Sequence, residues 1–217
     1  MIKTVIFDMD GVIVDTEPVH YFAFNEYFKE LNIVVSPEMY ASFTGNSTKN
    51  VFEKLISSFN LKQNIDDLIN RKRDLFNEAF DKKEDLFLLD GVLDLIQDLH
   101  KNGIQMVLAS SSANVTIERI FKRFGLHQYF SNIVSGEDFP KSKPNPAIFV
   151  HAAFLSKTNI ENCIVIEDST NGILAAKLAG IFCVGYDSPN SKLQDYSLAD
   201  LVIKDFKELN FEKISRL

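Results

Sequence analysis

Hydrophobic positions change their spacing twice along this chain. The first run is extended: Val5-Ile6-Phe7, then Asp8, Met9, Asp10 and Gly11, then Val12-Ile13-Val14. A short run of β-branched and aromatic residues reads as a buried strand, most naturally the central strand of a parallel sheet. After Asp15 the spacing becomes helical and stays so to about Phe87. Phe24, Tyr27, Phe28 and Leu31 mark one helix over Val19–Leu31. Ser36-Pro37-Glu38 is a cap followed by proline at the first helical position. Ser47 caps a third helix with Val51, Phe52, Leu55, Ile56 and Phe59 on its apolar face. Ile65, Leu68, Ile69, Leu75 and Phe76 give a fourth, ending before Lys82-Lys83-Glu84-Asp85. Four helices and no strand are predicted here, with their stripes forming a bundle core.

From Leu88 helix and strand alternate. Helices are predicted over Gly91–Leu99, Asn114–Phe124, Asn145–Leu155 and Gly172–Ala179, and glycines at 103, 125 and 180 close three of them. Between them lie strands at Ile104–Ala109, Ile133–Val134, Cys163–Ile166, Phe182–Val184 and Leu201–Ile203, with a loop over Gly136–Pro140. This alternation means a parallel α/β sheet with crossover helices. One domain is therefore interrupted by another: an α/β core of residues 1–15 and 89–217, and a helical insert over 16–88.

Totals exclude more than they assign. A length of 217 residues, 46% hydrophobic and 24% charged, is that of a globular chain with a real core. The net charge of −7 argues against a nucleic-acid surface and an anionic membrane as partners. It leaves an anionic small substrate open, because a local cation reverses the field at one site. Cys163 and Cys183 lie in apolar runs without metal-ligand spacing, as buried thiols in a reducing compartment do. Lys3 leads straight into the core strand, and no apolar run reaches membrane-spanning length. The expected setting is cytoplasmic.

The chemistry gathers at strand ends. Asp8 and Asp10 are two apart, so along an extended backbone they project to one side. Two acids beyond a core strand sit where open α/β sheets bind ligands, and their mutual repulsion asks for a cation or a shared proton. As turn or cap residues they would serve no chemistry. Ser110, after Met106–Ala109, makes either an anion-binding corner with the amides of the next helix or that helix's cap. Lys143, in Lys141-Ser142-Lys143-Pro144, would by default be a surface lysine, as would Lys141. Glu167-Asp168 ends the strand Ile164–Ile166, and Asp168 is equally placed to cap the following helix.

Taken together, these stretches resemble the haloacid dehalogenase superfamily. Phe7 through Pro18 is similar to its first motif, in the branch that holds β-phosphoglucomutase and small sugar-phosphate phosphatases. Ala109–Asn114 resembles the second motif, Lys143-Pro144 the third and Glu167-Asp168 the fourth. The resemblance implies a Rossmann-like parallel core with a four-helix cap. It implies Asp8 as nucleophile, Asp10 as acid and base, Ser110 on a phosphoryl oxygen and Lys143 neutralising charge. Mg²⁺ would be held by Asp8, Asp10 and Asp168, with Glu167 a ligand or a neighbour of one, and substrate by Ser111, Asn114, Gly45, His20 and Lys72. Asp10 speaks against the dehalogenase branch, whose reaction needs no acid there.

The resemblance is mixed in the insert. His20 and Lys72 stand where β-phosphoglucomutase keeps a histidine and a lysine, but Thr48 stands where the mutase keeps an arginine shortly after the glycine matching Gly45. Threonine cannot replace a bidentate guanidinium on a second phosphate, and Lys49 points elsewhere on a helix. The plain alternative is a partly exposed His20 and a Lys72 solvated between Arg71 and Arg73. The expected activity is therefore a phosphatase for a small phosphorylated metabolite, such as a sugar or polyol phosphate, acting as a monomer. A phosphosugar mutase is the alternative. A phospho-aspartate signalling switch of the receiver type is a weaker one, since such a switch has no acid two residues past its acceptor and no helical insert.

Overall fold

Every residue of the first strand is buried, which explains why Thr4–Phe7 shows no polar alternation. The structure, a computed structural model, describes residues 1–43, 46–188 and 193–217. Its strands are β1 (Thr4–Phe7), β2 (Gln105–Ser110), β3 (Asn132–Ser135), β4 (Cys163–Glu167), β5 (Phe182–Tyr186) and β6 (Leu201–Ile203). They form one sheet in the order β3-β2-β1-β4-β5-β6, and every pairing is parallel. The chain builds outward from β1 in one direction and then in the other, so the switch point lies at the carboxyl end of β1. The register pairs Phe7 with Leu108 on one side and with Ile166 on the other. The residues that follow each strand therefore leave the sheet side by side.

The helices are α1 (Glu17–Glu30), α2 (Pro37–Ala41), α3 (Thr48–Phe59), α4 (Ile65–Lys82), α5 (Val92–Lys101), α6 (Asn114–Phe124), α7 (Ala147–Ser156), α8 (Thr170–Leu178) and α9 (Phe211–Ile214). Two compact units result, Met1–Asp15 with Phe87–Leu217, and Thr16–Leu86. The second boundary falls two residues before the expected one. Leu88 bridges Val14, and the Leu89 N–H donates to the Ile13 carbonyl, which ties this segment to the sheet unit.

In the sheet unit α7 packs on β1, β2 and β3, and α8 on β4 and β5. Ile6, Val107, Ala109, Val165 and Cys183 meet Phe149 and Ala152 in its core. The insert unit holds α1 to α4 around an aromatic core of Phe24, Tyr27, Phe28, Phe43 and Phe52. Ser36, Ser47 and Asn64 cap α2, α3 and α4 by accepting backbone N–H bonds. Helix α4 runs through Lys82 rather than stopping before it, because buried Phe80 continues its apolar face. Residues 136–140, read as loop, contain the 3-10 turn Gly136–Asp138, and α9 carries too short an apolar pattern to have been read. Among the described residues, no helix is long and apolar enough to cross a membrane.

Candidate active site

The pleat ends at Phe7, and a tight turn takes over. The N–H groups of Val12, Ile13 and Val14 all point to the Met9 carbonyl, and Gly11 adopts φ +84°. Only glycine fits there. A Cβ on Gly11 would lie 2.2 Å from Oδ2 of Asp168, so the Asp168 carboxylate rests directly on this backbone. The Asp8 N–H donates to the Ile166 carbonyl at 3.0 Å, which carries the β1–β4 ladder one residue into the site.

Lys143 is the centre of the cluster. It is 4% exposed, and its Nζ donates to Asp8 Oδ1 at 2.5 Å, Glu167 Oε1 at 2.8 Å and the Ala109 carbonyl at 3.0 Å. The ammonium also lies 4.6 Å from the Phe149 ring centroid. Burial alone would push its pKa down, but the Asp8 and Glu167 carboxylates override burial and hold it above the usual lysine value. Lys141, two residues away, is exposed. The surface expectation for a lysine fails at 143 because the segment leading into α7, a helix packed on the sheet, carries Lys143 to the ends of β1 and β2, where Asp8 and the Ala109 carbonyl accept from it.

Asp8 is pushed up to about 7, chiefly by burial. Lys143 opposes that shift, and Glu167 and Asp10 reinforce it. Asp10 Oδ2 accepts from Ser112 Oγ at 2.8 Å and from Ser110 Oγ at 3.4 Å. Ser110 Oγ in turn accepts the Ser112 N–H at 3.0 Å. It does not cap α6, whose N-cap position is Ala113. Sequence reading missed Ser112 as a partner of Asp10, because Ser112 lies in the bend beyond β2, where the period of two no longer applies.

Glu167 Oε2 accepts both the N–H and Oγ of Ser169, at 2.7 and 2.9 Å, so its two oxygens are committed to Lys143 and Ser169. Ser169, not Asp168, caps α8 by accepting the Gly172 N–H. A Cβ on Gly172 would fall 1.7 Å from Glu167 Oε1. Gly→Ala inside a helix ordinarily stabilises by about 1 kcal/mol. Here Gly172→Ala should instead destabilise by roughly 3 kcal/mol, because it forces Glu167 off a buried ammonium. Urea unfolding of the variant checks the sign.

Ser111 and Asn114 are exposed. Asn114 donates its backbone N–H to Glu137 Oε2 at 3.0 Å, and its amide also reaches Glu137 and Asp138. In the insert unit, Lys72 is not solvated: it is 3% exposed, with Phe76 one helical turn away. Its Nζ lies 2.6 Å from His20 Nδ1 and 4.7 and 5.1 Å from the ring centroids of Phe24 and Phe76. Gly45 lies outside the described residues. Thr48 opens α3 and Lys49 is exposed.

Thus Asp8, Asp10, Ser110, Lys143, Glu167 and Asp168 meet at one sheet end, where two of the four acids, Asp8 and Glu167, pair with the one ammonium. The donor atoms are carboxylate, hydroxyl and carbonyl oxygens. That excess negative charge and that hard-oxygen chemistry fit magnesium, which binds through one or two carboxylates and keeps part of its shell for water and phosphate. Among the described residues, no three His, Cys, Asp or Glu side chains close on one point.

The profile of the haloacid dehalogenase-like hydrolases matches residues 5–186, and the chain belongs to that family. Within it, this protein is an enzyme of the phosphatase and phosphoglucomutase kind. It is 31% identical to the β-phosphoglucomutase of Bacillus subtilis, over 97% of this chain and 92% of that protein. It is 26% identical to the validoxylamine A 7′-phosphate phosphatase of Streptomyces hygroscopicus, over 99% of each chain. The crystal structure of CbbY from Rhodobacter sphaeroides in complex with phosphate superposes with a TM-score of 0.85 at 27% identity, covering 96% of both chains.

Proposed function

We propose that this enzyme is a Mg²⁺-dependent phosphatase that hydrolyses a small phosphorylated metabolite through an aspartyl phosphate on Asp8. The observation that carries the reading is the buried contact of Lys143 with Asp8, which places a fixed positive charge beside a carboxylate at a strand end. Asp8 attacks phosphorus: a carboxylate-oxygen-to-phosphorus bond forms and the bond to the leaving oxygen breaks. Asp10, oriented by Ser112, gives its proton to that oxygen. It then takes a proton from the water that attacks phosphorus, and Asp8 is released. Acid–base help of this kind contributes about 10²–10⁴-fold. Lys143 offsets charge on Asp8 and on the transferring group, and Ser110 offers a hydroxyl to a phosphoryl oxygen.

Asp8, Asp168 and the Asp10 carbonyl are assigned to Mg²⁺, and Glu167 to holding Lys143. The ion supplies further charge neutralisation to the phosphoryl group when bound. Thr48, where the mutase pattern has arginine, favours water over a second phosphosugar as acceptor. The B. subtilis relative named β-phosphoglucomutase favours the second reading, a phosphosugar mutase.

Phosphate release over a panel of sugar and polyol phosphates, with and without EDTA, tests the proposal. Turnover should be lost with the chelator and restored by Mg²⁺. β-Glucose 1-phosphate should give free glucose and phosphate; glucose 6-phosphate as main product would overturn the hydrolase reading.

A further inference from the structure

We propose that the segment Gln194–Tyr196, between β5 and β6, positions Asp168 for its cation. This rests on the assignment of Asp168 to Mg²⁺ above. Tyr196 Oη donates to the Asp168 carbonyl at 3.0 Å, 28 residues away in sequence. Gln194 Oε1 accepts the Thr170 N–H at 2.8 Å, and the Asp195 N–H donates to Thr170 Oγ1 at 2.7 Å. Two hydrogen bonds thus grip the backbone on either side of Ser169 and a third holds the Thr170 side chain; Ser169 itself accepts the Gly172 N–H and engages Glu167.

The grip is built into the sheet. The Tyr196 ring packs against the core cluster beneath β5. At Gly185 a Cβ would lie 3.1 Å from Tyr196 Cδ1 and 3.0 Å from the Ala199 Cβ, so the ring approaches the strand at a spacing that suits glycine. On the other side, the Asp168 carboxylate rests on Gly11. Its backbone is held by Tyr196 and its side chain is confined by the β1 turn. A carboxylate fixed from both directions presents its oxygens to an ion without first losing conformational freedom, as groups behind metal ligands commonly ensure.

Tyr196→Phe removes one hydroxyl and keeps the ring. In calorimetric titration of the metal-free 217-residue chain with Mg²⁺, the variant should bind about tenfold more weakly. Gln194→Ala should weaken binding in the same direction and serves in its place if Tyr196→Phe does not fold. A merely structural hydrogen bond would lower the unfolding midpoint and leave the metal constant alone. Asp168→Asn separates the two readings. If it binds Mg²⁺ as tightly as the unmodified protein, the assignment of Asp168 fails. If it binds weakly while Tyr196→Phe or Gln194→Ala matches the unmodified protein, the positioning role is overturned.

Discussion

Asp8→Asn should bring steady-state phosphate release down to background, a loss on the order of 10⁴–10⁶-fold, the scale seen when a nucleophile is removed. The amide has nearly the same shape as the carboxylate but cannot form the phosphoryl ester. The fold should be retained. Asp8 is buried among acids and pushed up to about 7, so an uncharged group there relieves repulsion from Asp10 and Glu167. Lys143 keeps Glu167 and the Ala109 carbonyl as acceptors. Thermal unfolding at pH 8 should therefore show no loss of stability while the activity assay reads nothing. Hydrolysis by the pure variant at more than a thousandth of the normal rate would remove Asp8 from the role of nucleophile.

Lys143→Met should cost both activity and stability, and the stability loss should depend on pH. Removing a charge donor aimed at the reacting group lowers kcat by about 10²–10³-fold. Removing one partner of a buried ion pair costs about 3–5 kcal/mol, because the other is left without compensation. Asp8 already stands above its ordinary value of 3.8 with Lys143 present, and the ammonium is what holds it down. Without Lys143, the folded-state value rises further. A carboxyl raised on folding binds more protons folded than unfolded, so stability falls as pH rises from about 4 through the folded value. The variant should be least stable at pH 8 and should recover towards pH 5. Urea titrations at the two pH values check this, and an equal deficit at both would contradict the placement of Asp8 against Lys143.

How much of this could be read from residues alone follows the range of each interaction. Val5–Phe7 and Cys163–Ile166 are buried on both faces, so their unbroken apolar runs announced central parallel strands. Parallel pairing in a common register then brings Asp8, Ser110 and Asp168 to the same end of the sheet, and order along the chain sufficed to group them. Burial of Lys72 was legible too, since Leu68 and Phe76 lie one turn to either side on the same face; its two arginine neighbours suggested solvent instead. Contacts that cross loops left no pattern. Ser112 with Asp10, Tyr196 with Asp168 and Gly172 under Glu167 each depend on a backbone path that periodicity does not encode. The choice of Ser169 over Asp168 as cap of α8 is of the same kind, since either residue type suits the position.

Everything here turns on a covalent stage at Asp8, and the stereochemistry at phosphorus reports on it most directly. p-Nitrophenyl phosphate made chiral with oxygen isotopes, with a simple alcohol as acceptor, would be turned over and the configuration of the product ester read by phosphorus NMR. Two successive in-line displacements, first by Asp8 and then by the acceptor, predict net retention. Net inversion would mean that the acceptor attacks the substrate in a single step and that Asp8 never carries the phosphoryl group.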